Sequence, residues 1–205
     1  MSDYDVIVLG GGSAGTTAAR AAVDEGAQTL LINDGELGGL CILRGCMPTK
    51  AMLASAHLMH EVRAAGSLGL RHEGRMVPDF RAIMKRKDDI VARLQRAKLT
   101  SIESGGYDVL DARARFVEGG GVEAGGRRLT ASGYVIATGS TPGRLALPGI
   151  EHARVLTSDD VMRLERPPAS LVVQGAGAIG LELAQFFARI GTRVTLVNRS
   201  DLLRH

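Results

Sequence analysis

Apolar residues along this chain come in short runs that stop abruptly at glycines. Val6–Leu9 is apolar and β-branched and ends at Gly10-Gly11-Gly12. An alanine-rich stretch follows, Ala14–Val23, then a turn at Glu25-Gly26 and a second apolar run, Thr29–Ile32. Short apolar, β-branched runs of this kind read as strands, and the alanine-rich stretch between them reads as a helix. The order is therefore strand, glycine turn, helix, strand: one βαβ unit. Ala51–Ala65 reads as a helix. Phe80–Ser104 reads as a longer one, with Ile83, Ile90, Val91 and Leu94 at helical spacing and charges between them.

From Tyr107 the texture changes. Val109, Ala112, Ala114 and Phe116 fall in one strand-like segment, and Val122-Glu123 and Arg127-Arg128-Leu129 flank Gly125-Gly126 as a hairpin would. Tyr134–Ala137 is a further strand that stops at Thr138-Gly139. Thr141-Pro142-Gly143, Pro148-Gly149 and Pro167-Pro168 mark linkers. Beyond them Leu171–Val173 runs into Gly175, a helix extends to about Arg189, and Arg193–Val197 is again strand-like. The βαβ pattern has restarted, so the expected fold class is α/β with two Rossmann-like dinucleotide-binding units and a small β-hairpin or meander inserted in the first.

Composition narrows the function classes. At 45% hydrophobic and 23% charged residues, the chain reads as globular. With no Trp, four Phe and three Tyr, it lacks the aromatic surface on which bases stack. The net charge of +3 is mild, and Lys85, Arg86 and Lys87 are interleaved with Asp88 and Asp89, so no nucleic-acid partner is expected. The start, Met1-Ser2-Asp3, lacks the basic and apolar regions of a signal peptide, and no apolar run approaches the ~20 residues of a membrane span. The expectation is a cytoplasmic protein with no membrane partner. Two close cysteines in such a setting point to redox or metal chemistry.

Gly10, Gly12 and Gly15, with Ser13 and Ala14 between them, fit G-x-G-x-x-G after a strand and before a helix. The first glycine allows the tight turn, the second lets backbone approach a pyrophosphate, and the third lets helix and strand pack closely. The helix N-terminus offers unpaired N–H groups to the anion. The acid expected on a ribose should close the second strand. There the chain reads Ile32-Asn33-Asp34, so Asp34 is the candidate carboxylate, one position beyond Asn33.

The stretch from Leu37 to Lys50 carries the most chemistry. Cys41 and Cys46 lie close enough in sequence to close a small disulfide if the chain curls, and Pro48 suits the first turn of a helix. A thiol at a helix N-terminus near a lysine is expected to be acidified and reactive. Cys41, Cys46, His57 and His60 also trace a zinc-finger-like spacing, but the finger's hairpin and helix pattern is missing.

Gly38-Gly39 through Lys50 resembles the redox-active disulfide signature of the class I pyridine nucleotide-disulfide oxidoreductases, which include dihydrolipoamide dehydrogenase, mercuric reductase and glutathione reductase. The resemblance implies FAD and NAD(P)H as cofactors. It implies that Cys41 exchanges with substrate, that Cys46 contacts the flavin and forms a charge-transfer complex with it, and that Lys50 stands beside the flavin ring. It also places Gly39 and Asn33 at the FAD site. Thr49 matches the lipoamide and mercuric branch. Leu40, Leu43 and Arg44 stand where Thr, Asn and Val are commonest, which leaves the substrate open.

The second half resembles the same class. Tyr134–Ser140 is similar to its second FAD motif, with Thr138 and Gly139 touching the nucleotide through backbone and Ala114 meeting the adenine. Gly175, Gly177 and Gly180, with Ile179 before the last, form a second fingerprint similar to the NAD(P)H site. Glu182 matches the glutamate that pairs with the flavin-side lysine, which implies a Lys50–Glu182 contact. Ala178 stands where many relatives carry a gating tyrosine. After the next strand, Asn198-Arg199 offers no acid and one cation, a set that leans towards the 2′-phosphate of NADPH.

The resemblance implies a FAD domain over residues 1–149 and the start of a nicotinamide domain over 150–205. It also implies a whole protein that forms a homodimer and acts on a small or protein-bound disulfide or dithiol. The expected function is FAD-dependent, NAD(P)H-linked dithiol–disulfide exchange, lipoamide dehydrogenase-like, of the EC 1.8.1 kind. Its rivals are mercuric-ion reduction on the same scaffold and a fragment that holds cofactors without turnover. No resident metal is expected.

Overall fold

A computed structural model describes residues 2–143 and 146–199. The chain divides into two compact units, Met1–Leu43 with Ala92–Thr141, and Arg44–Val91 with Pro142–His205.

In the first unit, β1 (Tyr4–Leu9), β2 (Thr29–Asn33), β3 (Asp108–Asp111) and β7 (Ala131–Ile136) form a parallel sheet in the order β3-β2-β1-β7. Helix α1 (Ser13–Asp24) is the β1–β2 crossover. Alternation along the strands decides the layers. Ile7 and Leu9 of β1 with Leu30 and Ile32 of β2 share one core cluster with Val122, Ala124 and Leu129. Val8 and Leu31, one residue out of phase, cluster instead with Ala19 of α1. The first cluster is closed by an antiparallel meander of β4 (Ala114–Phe116), β5 (Val122–Ala124) and β6 (Arg127–Leu129).

The segment expected as one strand from Val109 to Phe116 is thus two strands in two sheets. The ladder ends where Ala112 N–H donates to the Asn33 carbonyl at 2.9 Å, beyond the last β3 pairing, and the chain then crosses to the meander. Helix α2 (Gly39–Leu43) was not expected from periodicity, since five residues are too few to show one.

The second unit is built on α3 (Cys46–Ala64), the first half of α4 (Phe80–Glu103), the short α5 (Ser158–Val161) and α6 (Ala178–Ile190). Met52, Ala56, Phe80, Met84, Met162, Leu183, Phe186 and Phe187 form its core. The Phe186 ring centroid lies 5.1 Å from that of Phe187 and 6.4 Å from that of Phe80. Lys87 is buried at the edge of this core, where its ammonium donates to the Met162 carbonyl at 2.6 Å and lies 2.6 Å from Asp88 Oδ1. Strands β8 (Ser170–Gln174) and β9 (Arg193–Val197) pair in parallel on either side of α6 in the chain. Helix α3 starts five residues before the expected Ala51, because Pro48 falls within its first turn, where its missing N–H costs nothing.

Candidate functional site

The loop after β1 is shaped by close backbone approaches. Gly10 has φ +110°, and a Cβ there would stand 2.3 Å from the Ala137 carbonyl oxygen at the end of β7. A Cβ on Gly15 would lie 1.8 Å from the Gly10 oxygen. Both positions exclude a side chain. Gly12 differs, because it caps α1 with no side-chain hydrogen bond, and a Cβ there would meet nothing nearer than Gly39 Cα at 3.7 Å. Among the described residues, no side chain caps the first N–H groups of α1, at Ser13, Ala14 and Gly15. Gly39, at φ +73°, starts α2 against this loop. Cys41, two residues on, is half-buried in α2.

Thr138 follows β7 beside Gly10, and Gly139 takes φ +72°. Asn33 closes β2, where its Oδ1 accepts from the Gly11 N–H at 2.7 Å and its Nδ2 donates to the Gly35 carbonyl at 2.8 Å. Asp34 is exposed. Ala114 stands in the meander, paired with Ala124, and lines a cavity of about 260 Å³ with Arg113, Arg115 and Glu123.

Behind the loop, Thr16 donates to the Gly12 carbonyl at 2.8 Å and accepts from the Lys98 ammonium at 2.5 Å. Burial holds the Lys98 pKa below its ordinary value. No local pattern marked Lys98, which comes from α4, more than eighty residues after the loop.

In the second unit Cys46 is the first residue of α3, an exposed free thiol after the N-cap Gly45, which offers no side-chain cap. Lys50 lies one turn further on, and its ammonium donates to Glu182 Oε1 on α6. This is the pair that the resemblance implied. Arg44 Nε lies 3.3 Å from Asp159 Oδ2, an ion pair with no signature in the local sequence.

The loop after β8 repeats the first. Gly175 has φ +96°, a Cβ on Gly180 would lie 2.2 Å from the Gly175 oxygen, and a Cβ on Gly177 would meet nothing within 4 Å. Gly177 caps α6 without a side-chain bond. The Ala176 N–H donates to Asn198 Oδ1 at 3.3 Å. Ile179 and Arg199 are exposed.

Two glycine loops thus stand at the carboxyl ends of parallel strands, where dinucleotides bind, with a cysteine pair between them in sequence. Residues 4–205 match the family described as pyridine nucleotide-disulphide oxidoreductase. The chain belongs to that family. It is 33% identical over 202 residues to a mercuric reductase of Lysinibacillus sphaericus, covering 98% of this chain and 37% of that protein. It is also 33% identical over 203 residues to a dihydrolipoyl dehydrogenase of Mycoplasma genitalium, covering 97% of this chain and 44% of that one.

Among solved structures, a cysteine-to-serine mutant of RclA, the HOCl-induced flavoprotein disulfide reductase of Escherichia coli, in its Cu(II) complex, superposes with a TM-score of 0.80. Its sequence identity is 26%, over 99% of this chain and 44% of that one. The chain thus spans less than half the length of these relatives. Membership in the pyridine nucleotide-disulphide oxidoreductase family implies FAD and a nicotinamide cofactor. The first loop fits such a dinucleotide: the open side at Gly12 is a cradle that a side chain would fill, and the uncapped N–H groups of α1 supply anion donors. Among the described residues no helix is long and apolar enough to cross a membrane.

Proposed function

We propose that this chain is the flavin- and dithiol-bearing part of an oxidoreductase that passes electrons between NAD(P)H, FAD and a disulfide formed by Cys41 and Cys46. The observation that carries the reading is the Lys50–Glu182 pair, which joins the cysteine-bearing helix α3 to the helix that opens from the second glycine loop. On this reading residues 1–149 serve the flavin and 150–205 begin the nicotinamide site. The whole protein is then a cytoplasmic homodimer, consistent with reactive thiols in a reducing compartment.

Bound FAD supplies a two-electron relay between a hydride donor and a disulfide. The chain's own residues do the rest. The N–H groups of α1 would hold the diphosphate of FAD, and Thr138 and Gly139 would line its nucleotide half. Cys46, exposed at the uncapped N-terminus of α3, is placed to face the flavin. Glu182 orients Lys50, whose cation then offsets negative charge developing beside it. Cys41, as thiolate, attacks a substrate disulfide, and one substrate thiol leaves with a proton. Cys46 then attacks the Cys41 sulfur of the mixed disulfide, releasing the second thiol and restoring the Cys41–Cys46 bond. Overall, a hydride and one proton reduce one disulfide to two thiols. Asn198-Arg199, with no carboxylate and an exposed guanidinium, favours NADPH over NADH.

A second reading, metal-ion reduction by the same dithiol, is favoured by the similarity to mercuric reductases and to a flavoprotein disulfide reductase solved with Cu(II). A third, a piece that binds cofactors without turnover, follows from the share of its relatives that the chain spans.

The test is the visible spectrum of the FAD-loaded protein before and after an anaerobic dithiol. The expected result is a flavin spectrum that gains long-wavelength absorption on reduction. That absorption should be lost in Cys46→Ser and present without any dithiol in Cys41→Ser. A protein that takes up no FAD, or a band that survives Cys46→Ser, refutes the assignment. NADPH oxidation driven by mercuric ion but by no disulfide would favour the second reading.

A further inference from the structure

The two glycine loops are closed by the same side chain in the same way. The residue after the first glycine donates its N–H to an asparagine at the end of the unit's second strand, Gly11 to Asn33 and Ala176 to Asn198, and the separation is 22 residues in both. These are the positions where a carboxylate would stand to bind sugar hydroxyls. In the first unit the other end of the amide is engaged as well, since Asn33 Nδ2 donates to the Gly35 carbonyl. That pattern sets the orientation of the amide. Turned over, it would point an NH2 at an N–H and an oxygen at a carbonyl. It also explains the residue type: a carboxylate could accept from Gly11 but would set its second oxygen against the Gly35 carbonyl.

We infer that Asn33 and Asn198 are positioning residues, neutral latches that preset the two glycine loops, and that neither is the group that grips a sugar. The inference rests on the dinucleotide reading of the loops. Its consequence for specificity is that the strand-end position carries no negative charge in either unit. In the second unit, beside Arg199, the latch then does not repel a 2′-phosphate.

The latch can be tested without ligand. In the wild-type apoprotein the Gly11 amide should exchange its hydrogen at least about tenfold more slowly than the uncapped amides of Ser13 and Ala14. Equal rates would overturn the latch whether or not FAD binds. The second test uses Asn33→Asp with FAD as the probe, followed by quenching of flavin fluorescence. At about pH 8 the variant should bind FAD about tenfold more weakly than wild type, the difference narrowing as pH falls towards about 4, where the new carboxyl gains a proton and can again donate to Gly35. A merely destabilised fold would show no such recovery. If Asn33 instead accepts from a sugar hydroxyl, Asn33→Asp will bind FAD as tightly as wild type or more tightly, and the inference fails. Asn198→Asp titrated with NADH gives the parallel result: no gain in affinity supports the latch, and a gain refutes it. A wild-type protein with a protected Gly11 amide but no FAD affinity would instead sink the flavin reading alone.

Discussion

Replacing the third glycine of the first loop should damage the fold, whereas replacing the second should damage chiefly ligand binding. A Cβ on Gly15 would stand 1.8 Å from the Gly10 oxygen and 3.0 Å from its carbonyl carbon. Both are backbone atoms, so relief requires α1 to move off the strand it packs on. Overpacking of this kind costs about 1–3 kcal/mol, and so deep a backbone clash belongs at the upper end. Alanine's better helix propensity returns about 1 kcal/mol. The net loss is about 2 kcal/mol, or roughly 4–8 °C in Tm for a chain of this size. Gly12 has φ −79° and ψ −169°, a conformation open to alanine, and its Cβ would touch only Gly39 Cα at 3.7 Å. Gly12→Ala should therefore cost only about 0.5–1 kcal/mol, the loss expected for alanine in place of glycine at an N-cap. Its methyl group would nonetheless stand over the helix N–H groups, and FAD affinity should fall by about tenfold or more. Urea unfolding of the apoproteins and flavin fluorescence titration read the two effects separately. The reasoning is refuted if Gly12→Ala unfolds as early as Gly15→Ala, or if it binds FAD as wild type does. In the second loop, Gly180→Ala and Gly177→Ala should divide in the same way, because only Gly180 faces a backbone clash.

Three further outcomes are expected. Glu182→Gln should shift the urea midpoint by less than about 1 kcal/mol, because the Lys50 and Glu182 side chains are 60% and 35% exposed. It should still slow reduction of bound FAD by NADPH, and an unchanged rate would remove Glu182 from the site. Phe186→Ala, which empties a fully buried ring position, should cost about 3–5 kcal/mol by urea unfolding, and a loss under about 1 kcal/mol would contradict the packing. The Lys98 pKa lies below its ordinary 10.5 because of burial, so between the two values the unfolded chain binds more protons than the folded one, and stability from this group rises with pH. The urea midpoint of wild type relative to Lys98→Met should climb as pH rises towards the ordinary value of 10.5; a flat or falling difference would reject the assignment.

The features legible in the sequence are those where backbone geometry dictates residue type. Gly10, Gly15 and Gly180 could be read as glycines of necessity, and the clashes that a side chain would meet there give the reason. The Lys50–Glu182 contact was also accessible, because each partner sits at a set distance from a recognisable motif on its own helix. The hidden features have the opposite character. The chain passes between its two units in three places. The one between Thr141 and Pro142 falls at a linker that the sequence marks, but those between Leu43 and Arg44 and within α4, between Val91 and Ala92, do not. The division is set by which stretches return to pack together, and a reading along the chain does not see returns. Strands β3 and β4 ran together in the sequence for the same reason, since their partners lie elsewhere in the chain, in β2 and β5.

Asn33 is the sharpest case. Beside Asp34 it reads as a neutral residue in a place meant for an acid, and attention passes to the neighbouring carboxylate. Its hydrogen bonds give it a part of its own, because the amide has both a donor and an acceptor, and the backbone around it presents one partner for each. A carboxylate satisfies only half of that environment. The matching 22-residue spacing from Gly11 to Asn33 and from Ala176 to Asn198 could be counted in the sequence beforehand, but a spacing becomes a mechanism only when the atoms at its two ends are seen to meet.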